Sequence, residues 1–476
     1  MELKAGKIAD HFKTFGFAYL SFIVVAVFFS FNFQALNLPF YWDEAWVYGP
    51  AVRMMADSTP SLLPDSLPVE FSRGHPLLFH FLNAVWLKIF GNTVFQAHLF
   101  NLIIACLLLL AVYVTGKRIF SPLAGFLAVF FLGMQPVFLA QSVLVLPEVM
   151  LAVFVLIALV AFLENKKILY VVAATAALLT KESGIIVPIY VASYYVIRLM
   201  INKSFSLRKN LTDIAVILIP LLIFAIFLSV QYLERGWFFF PEHTGYLDFA
   251  FGHIKNKFID GYSAYLFIYQ GRNLLFFTGI AALLILLVLR KKLQQVELII
   301  FFLAFIFIFL LFSSVNFFSN RYIICVIPLF LILIAGLLSQ VIAVNRLFLI
   351  VLPLFVVVQI QLINKKSNAD HDLGYRDAVV VNTQIIDYMQ KENLREKPVM
   401  AYFIARYLLT NHYSGYVEQG KAFSRVTDEF SNAEYYLFSN FDMSPEYNAR
   451  MNNSDIEVVK RYERGKAWVA LYHKKK

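Results

Sequence analysis

Two adjacent carboxylates, Asp43 and Glu44, follow the first long apolar run of this chain, Phe15 to Leu36, with Tyr41 and Trp42 just before them. A charge beside a lipid-sized apolar segment is costly unless it is solvated, paired or used. Asp43 is therefore a candidate general base, with Glu44 beside it. Trp42 offers a face on which a sugar could stack, although aromatic residues also anchor helices at an interface. Four further polar features punctuate the apolar sequence: Arg73-Gly74-His75-Pro76, Pro147-Glu148, Thr180-Lys181-Glu182-Ser183-Gly184 and Asn320-Arg321-Tyr322. The cations Lys181, Arg321, Arg73 and Arg272 have the chemistry to hold a phosphate. A phosphate leaves with little acid assistance, whereas an incoming hydroxyl must lose its proton, so one carboxylate base suffices. Asp43 fits that role, and Glu148, at the mouth of an apolar run, is placed to orient a sugar or an acceptor.

Each feature also has a plainer reading. Asp43 and Glu44 could be a solvated pair after a helix, Glu148 a helix-start residue favoured by the macrodipole, and Lys181 the partner of Glu182. Arg321 could snorkel to the interface, and His75 could merely precede a proline that opens a helix. Gly-rich phosphate loops are absent, so no nucleotide site is expected. Asp370-His371-Asp372 matches the Asp-x-Asp pattern of metal-dependent sugar-nucleotide enzymes, but it opens a polar segment far from any nucleotide pool and is read as non-functional. No cofactor and no metal site are expected. A divalent ion on Glu44, His75 or His243 is possible, but the spacing does not indicate one.

The elements that must position these groups are membrane helices. Of 476 residues, 60% are hydrophobic and 17% aromatic, with a mean hydropathy of +0.68. About eleven apolar runs approach spanning length, from Phe15–Leu36 to Leu347–Ile363. They include Phe95–Thr115, Pro122–Ala140, Val143–Leu163, Ile168–Leu179 and Ile185–Met200, then Leu211–Leu233, Leu274–Leu289, Leu298–Phe312 and Ile323–Leu338. The first lacks a small-residue cleavage site and is read as a retained span, not a signal peptide. The net charge of +10 comes from short cationic runs between spans, such as Lys117-Arg118, Lys166-Lys167, Lys203, Arg208-Lys209 and Arg290 to Lys292. Cations on alternate loops mark cytoplasmic sides and give no reason to expect nucleic acid. The N-terminus is then cytoplasmic, and all five polar features lie on the outer face. Cys106 and Cys325 sit inside apolar runs and read as buried hydrophobes.

The loop 37–92 contains a shorter apolar stretch, Pro76 to Phe90, expected to lie along the outer interface. The aromatic stretch Glu234 to Asn273 is expected at headgroup level. Beyond Asn364 the composition turns polar. A helix at Asp377–Glu392 and strands at Val399–Phe403, Tyr435–Phe438, Ile456–Tyr462 and Trp468–Tyr472 are expected, with a hairpin at Arg464-Gly465-Lys466. The expected fold is an all-α polytopic membrane core over 1–364, with a small extracytoplasmic α/β domain over 365–476.

In order and spacing these features resemble the GT-C superfamily of membrane glycosyltransferases, and within it the bacterial relatives of protein O-mannosyltransferases and of the lipid A aminoarabinose transferase. The resemblance runs from Lys13 to Tyr322. It rests on Asp43-Glu44 in the first outer loop, His75-Pro76-Leu77-Leu78 opening the interfacial helix, Glu148-Val149-Met150-Leu151 at the fourth span, Thr180-Lys181 after the fifth, and Arg321-Tyr322 opening a late span. Two departures are Glu148, where the family usually has Asp, and Leu77, where it often has a second proline. The resemblance implies inverting transfer of a sugar from a polyprenyl-phosphate carrier to an acceptor hydroxyl outside the cytoplasm, in a bacterial inner membrane. It implies Asp43 as base, Lys181 and Arg321 on the phosphate, and Glu44, His75 and Glu148 around sugar and acceptor. The acceptor could be a protein, a glycan or a lipid. The rival reading is a transporter or lipid flippase with Asp43, Glu148 and Lys181 along its path, but the internal repeats common in transporters are missing.

Overall fold

Helices dominate because apolar side chains recur without interruption and, in lipid, a helix satisfies every backbone N–H and C=O within itself. The computed structural model describes residues 2–201, 207–291, 293–442 and 455–475. Lys203 and Lys292, two of the cations used for orientation, lie outside them. Among the described residues seven helices are long and apolar enough to cross a membrane: Phe15–Phe33, Val94–Ile119, Glu182–Ile201, Asn210–Arg235, Val296–Ser314, Ile327–Val344 and Arg346–Asn364. An eighth span would be the pair Phe251–Phe267 and Arg272–Val288, bent by 82°. Ile327–Val344 is central and largely buried, whereas Asn210–Arg235 and Arg346–Asn364 turn most of their side chains outward. Outward residues such as Phe22, Leu222 and Phe307 give the bundle an apolar, lipid-facing surface, as an integral membrane protein requires.

The expected runs are largely helical, but three form shorter helices: Pro122–Gly133, Glu148–Leu163 and Lys167–Thr180. Proline explains part of this. Pro136 opens a separate helix, Pro136–Gln141, and Pro147 stands at the cap of Glu148–Leu163, because its ring cannot donate to a preceding turn. Thr93 and Ser121 cap the helices that follow them by accepting from Gln96 N and Ala124 N. The interfacial stretch is the helix Leu78–Phe90, with His80 and Asn83 buried instead of facing headgroups. The stretch expected as an aromatic loop, Glu234 to Asn273, is partly helical, over Pro241–Gly245 and Phe251–Phe267.

Ion pairs sort the loops into two ends. Arg118 meets Glu164, Lys167 meets Asp213 and Arg198 meets Glu297 at one end. Asp43, Glu148, Lys181 and Arg321 gather at the other.

The C-terminal part carries a five-stranded sheet in the order β2-β1-β3-β5-β4, from β1 Val399–Ala401, β2 Val426–Thr427, β3 Tyr435–Ser439, β4 Ile456–Arg464 and β5 Ala467–Lys474. Strands β1, β2 and β3 are parallel, and β3-β5-β4 are antiparallel. The expected strands and the hairpin are present. Gly465, at φ +57°, supplies the turn conformation that a Cβ disfavours. The helix Gly374–Lys391 packs on β4 and β5. A helix not expected from the sequence, Phe403–Thr410, follows β1. This part docks on the first loop and the end of the first span: Phe40 N donates to Ser414 O at 3.1 Å, Arg53 Nη1 to Tyr413 O at 2.9 Å, and Arg376 Nη2 to Asn32 Oδ1 at 2.8 Å.

Candidate active site

Arg321 is the hub. Its guanidinium reaches three carboxylates from three distant parts of the chain: Nη2 pairs with Asp43 Oδ2, Nη1 with Asp370 Oδ2 at 2.6 Å, and Nε with Glu148 Oε1 at 3.3 Å. Lys181 Nζ meets the same Glu148 Oε1 at 2.8 Å and lies 4.2 Å from the centre of the Tyr322 ring. Glu148 is 1% exposed, so its two cations are what make a charge tolerable there. Burial works against both cationic charges, but the carboxylates around Arg321 together outweigh it and raise the proton affinity of Arg321, and Glu148, with Tyr322 and Tyr48, does the same for Lys181. Both remain cations at any working pH.

Local sequence explains the positions. Arg321 lies on a short 3-10 turn, Asn320–Cys325, that enters the central helix through Pro328. Lys181 is extended at the end of Lys167–Thr180, and the turn after it folds tightly against that helix. A Cβ at Gly184 would lie 2.6 Å from the Ala177 carbonyl. Trp42 has φ +49°, a conformation that costs a non-glycine residue of order 1 kcal/mol or more and is often held at functional sites.

Asp43 is fixed at both oxygens. Oδ2 faces Arg321, and Oδ1 accepts from Trp46 Nε1 at 3.1 Å. The carboxylate is 25% exposed and so is reachable by a substrate. Trp42, Trp46, Phe403 and Tyr407 form an aromatic cluster beside it, with Trp46 and Phe403 centroids 4.9 Å apart.

Glu44 points elsewhere. It is 1% exposed and accepts from Tyr41 N at 3.0 Å, from Val145 N at 2.6 Å and from His98 Nε2 at 2.7 Å. It was expected around sugar or acceptor, but its oxygens are occupied in tying the loop to the helix Val94–Ile119. Arg272, expected among the phosphate-binding cations, is also engaged elsewhere. It is fully buried, and its N–H groups go to Leu266 O, Tyr265 O, Gln135 Oε1 and Gln270 Oε1. Facing carbonyls instead of solvent, it commits four of its five N–H donors to the fold and is shut off from the surface. Arg73 pairs with Glu242 at 2.7 Å and lies 4.9 Å from the Trp46 ring centre, so it borders the cluster through aromatic residues.

His75 stands apart from Arg321. Its Nδ1 bonds Glu182 at 2.8 Å, and its ring lies 4.7 Å from that of His243. His75, Glu182 and His243 offer ligand atoms within 4.8 Å of one another, an arrangement that could hold a divalent ion. Burial holds the His243 imidazolium down to a pKa of about 3, so the ring is neutral, as a metal ligand must be. Glu44, the third residue considered for a metal, is not among them.

Sequence reasoning missed Asp370 and Trp46. Asp370 carried a signal in its Asp-x-Asp match, set aside because it opens a polar segment far from any nucleotide pool, and nothing local tied it to Arg321. Trp46 lies one helical turn beyond Asp43, a spacing at which side chains meet.

Residues 74–229 match the model of the family described as dolichyl-phosphate-mannose-protein mannosyltransferase. No curated protein matches the chain by sequence. Among solved structures it is similar to ArnT from Cupriavidus metallidurans bound to undecaprenyl phosphate, at 17% identity and a TM-score of 0.57 over 96% of this chain and 98% of that one. It is also similar to the oligosaccharyltransferase AglB from Archaeoglobus fulgidus in complex with an inhibitory peptide and a dolichol-phosphate, at 13% identity and a TM-score of 0.50 over 90% of this chain and 69% of that one. The chain is an integral membrane protein with the fold of the GT-C glycosyltransferases.

Proposed function

We propose that this protein transfers a sugar from a polyprenyl-phosphate carrier to an acceptor hydroxyl, with inversion at the anomeric carbon. The observation that carries the reading is the triad Asp43, Arg321 and Lys181, in which a partly exposed carboxylate pairs directly with Arg321, and Arg321 shares Glu148 with a second cation, Lys181. The acceptor oxygen attacks the anomeric carbon and passes its proton to Asp43. The bond from that carbon to the phosphate oxygen breaks, and the phosphate keeps the electron pair. Lys181 and Arg321 receive the developing charge, which is where fixed cations lower a barrier most. Glu148 keeps the two cations in register, and Trp42 offers a stacking face to the sugar. His75 stacks on Tyr48, with ring centroids 6.1 Å apart, and bonds Glu182, the residue after Lys181.

An apolar cavity of about 210 Å³ supports a lipid-linked donor. It is lined by Leu77, Leu78, Leu179, Ile223, Ile226 and Phe227 among others, and Leu179 is two residues from Lys181. A chain seated there would present its phosphate toward the cations. The two structural relatives were solved with polyprenyl or dolichol phosphates, which supports a transferase over a transporter.

In this reading the basic loops at the opposite end face the cytoplasm of a bacterial inner membrane, by the positive-inside rule. Residues 1–364 form the transferase core, with loop 37–92 over the site. Residues 365–476 form the extracytoplasmic domain, where the acceptor, a glycan, lipid or protein, arrives.

The test uses purified protein in nanodiscs with a panel of radiolabelled polyprenyl-phosphate sugars, supplied together with glycan, lipid and peptide acceptors. Wild type should release free polyprenyl phosphate, and Asp43→Asn should lose about two orders of magnitude or more in rate. No consumption of any donor, or an unimpaired variant, overturns the reading.

A further inference from the structure

The charges around Arg321 do not balance for a site that receives an anion. Asp43, Glu148 and Asp370 contribute three negative charges and Arg321 and Lys181 two positive ones, leaving one negative charge in excess before any phosphate arrives. Like charges a few ångströms apart repel strongly away from bulk water. A phosphate can therefore reach Arg321 only if one carboxylate gives way.

The three carboxylates are not equally able to do so. Glu148 is buried and held by Lys181 as well as Arg321. Asp43 is held at its second oxygen by Trp46. The Asp370 carboxylate meets Arg321 and is 17% exposed. Its backbone, by contrast, is pinned: Gln141 Nε2 donates to Asp370 O and Gln270 Nε2 to His371 O, both at 2.8 Å. Asp372 closes the same turn by accepting from Ser367 N and Gly374 N. Releasing Arg321 requires only a side-chain rotation of Asp370, with the turn left in place.

Resting on the transferase reading above, we propose that Asp370 is the exchangeable counter-ion of the phosphate subsite. Its carboxylate occupies Arg321 Nη1 and yields that donor to a phosphate oxygen when the lipid binds. Asp370 is thus an internal competitor that lowers affinity for the lipid phosphate. The competition weighs most on the product, a phosphate monoester with more charge than the sugar-linked diester, and so favours its release. No bond is made or broken in this exchange.

The test is equilibrium binding of undecaprenyl phosphate to the full chain in nanodiscs, comparing wild type, Asp370→Asn and Asp370→Glu, with thermal melting to confirm that each is folded. Asp370→Asn keeps the shape and removes the charge, and should tighten Kd about tenfold, a change of 1.4 kcal/mol. Asp370→Glu should return Kd toward wild type, and donor KM should fall in parallel in the Asn variant. A residue with a merely structural role would loosen binding on substitution. Unchanged or weaker binding by a folded Asp370→Asn overturns the proposal alone. Failure of wild type to bind undecaprenyl phosphate overturns both it and the transferase reading.

Discussion

Trp46 donates its indole Nε1–H to Asp43 Oδ1 at 3.1 Å, and the same indole lies against Phe403 of the C-terminal part, with ring centroids 4.9 Å apart. The proposed base is thereby oriented from two directions, by Arg321 from the membrane core and by an indole braced against the C-terminal helix Phe403–Thr410.

Replacing Trp46 with Phe keeps the ring packing and removes the hydrogen bond. A hydrogen bond to a charged group contributes about 1.5–3 kcal/mol, so the turnover number should fall about tenfold or more. Donor KM should stay within about twofold, because Trp46 touches neither Lys181 nor Arg321. Steady-state kinetics on the folded variant separate the two constants.

Glu44 is a test of structure over catalysis. Substituting Ala leaves Val145 N, Tyr41 N and His98 Nε2 facing a buried gap. The expected cost is about 3 kcal/mol or more, read as a lower melting temperature in detergent and a poor yield. Glu44→Gln, which keeps one acceptor oxygen, should melt between Glu44→Ala and wild type.

Arg272 and Lys181 should respond in opposite ways. A lysine cannot reproduce the fork with which Arg272 reaches Leu266 O, Gln135 and Gln270. Arg272→Lys should therefore lower thermal stability while donor KM of the folded fraction holds within about twofold. Lys181→Ala should raise that KM about tenfold or more. A large KM increase in Arg272→Lys would return Arg272 to the phosphate subsite.

The C-terminal part has its own pH response. Asp442 accepts from Ala405 N at 2.9 Å at the start of the helix Phe403–Thr410, and burial pushes its carboxyl up to about 6 from an ordinary 3.8. The folded state thus binds the proton more tightly than the unfolded chain. Its penalty is complete above pH 6 and is relieved as pH falls toward 4, by roughly 3 kcal/mol in all. Asp442→Asn should be the more stable protein at pH 7.5, with the gap closing toward pH 4, measured as paired melting curves. A gap that stays constant with pH would show that Asp442 does not titrate in this range.

Much of this arrangement is legible in the sequence, and for local reasons. Apolar runs declare membrane helices because lipid leaves the backbone no alternative, and the β-branched and aromatic runs of β3 and β5, with the glycine turn between β4 and β5, are equally local. The conjunction of Asp43, Glu148, Lys181 and Arg321 at one end follows from counting spans, since each lies at a helix terminus. Direction is another matter. Asp43 and Glu44 are neighbours in sequence and point into different environments, one to Arg321 and one to His98. Arg272 reads as a phosphate-binding cation and is buried among carbonyls, and Asp370 reads as part of a non-functional Asp-x-Asp match and meets the hub. Composition and periodicity determined which segments enter the membrane and which face carries charge, because those preferences act over a few residues. Which carboxylate oxygen meets which nitrogen was decided only by tertiary packing, because Asp370 meets Arg321, 49 positions away in the chain, and Arg321 meets Asp43, 278 away, across elements that nothing local brings together.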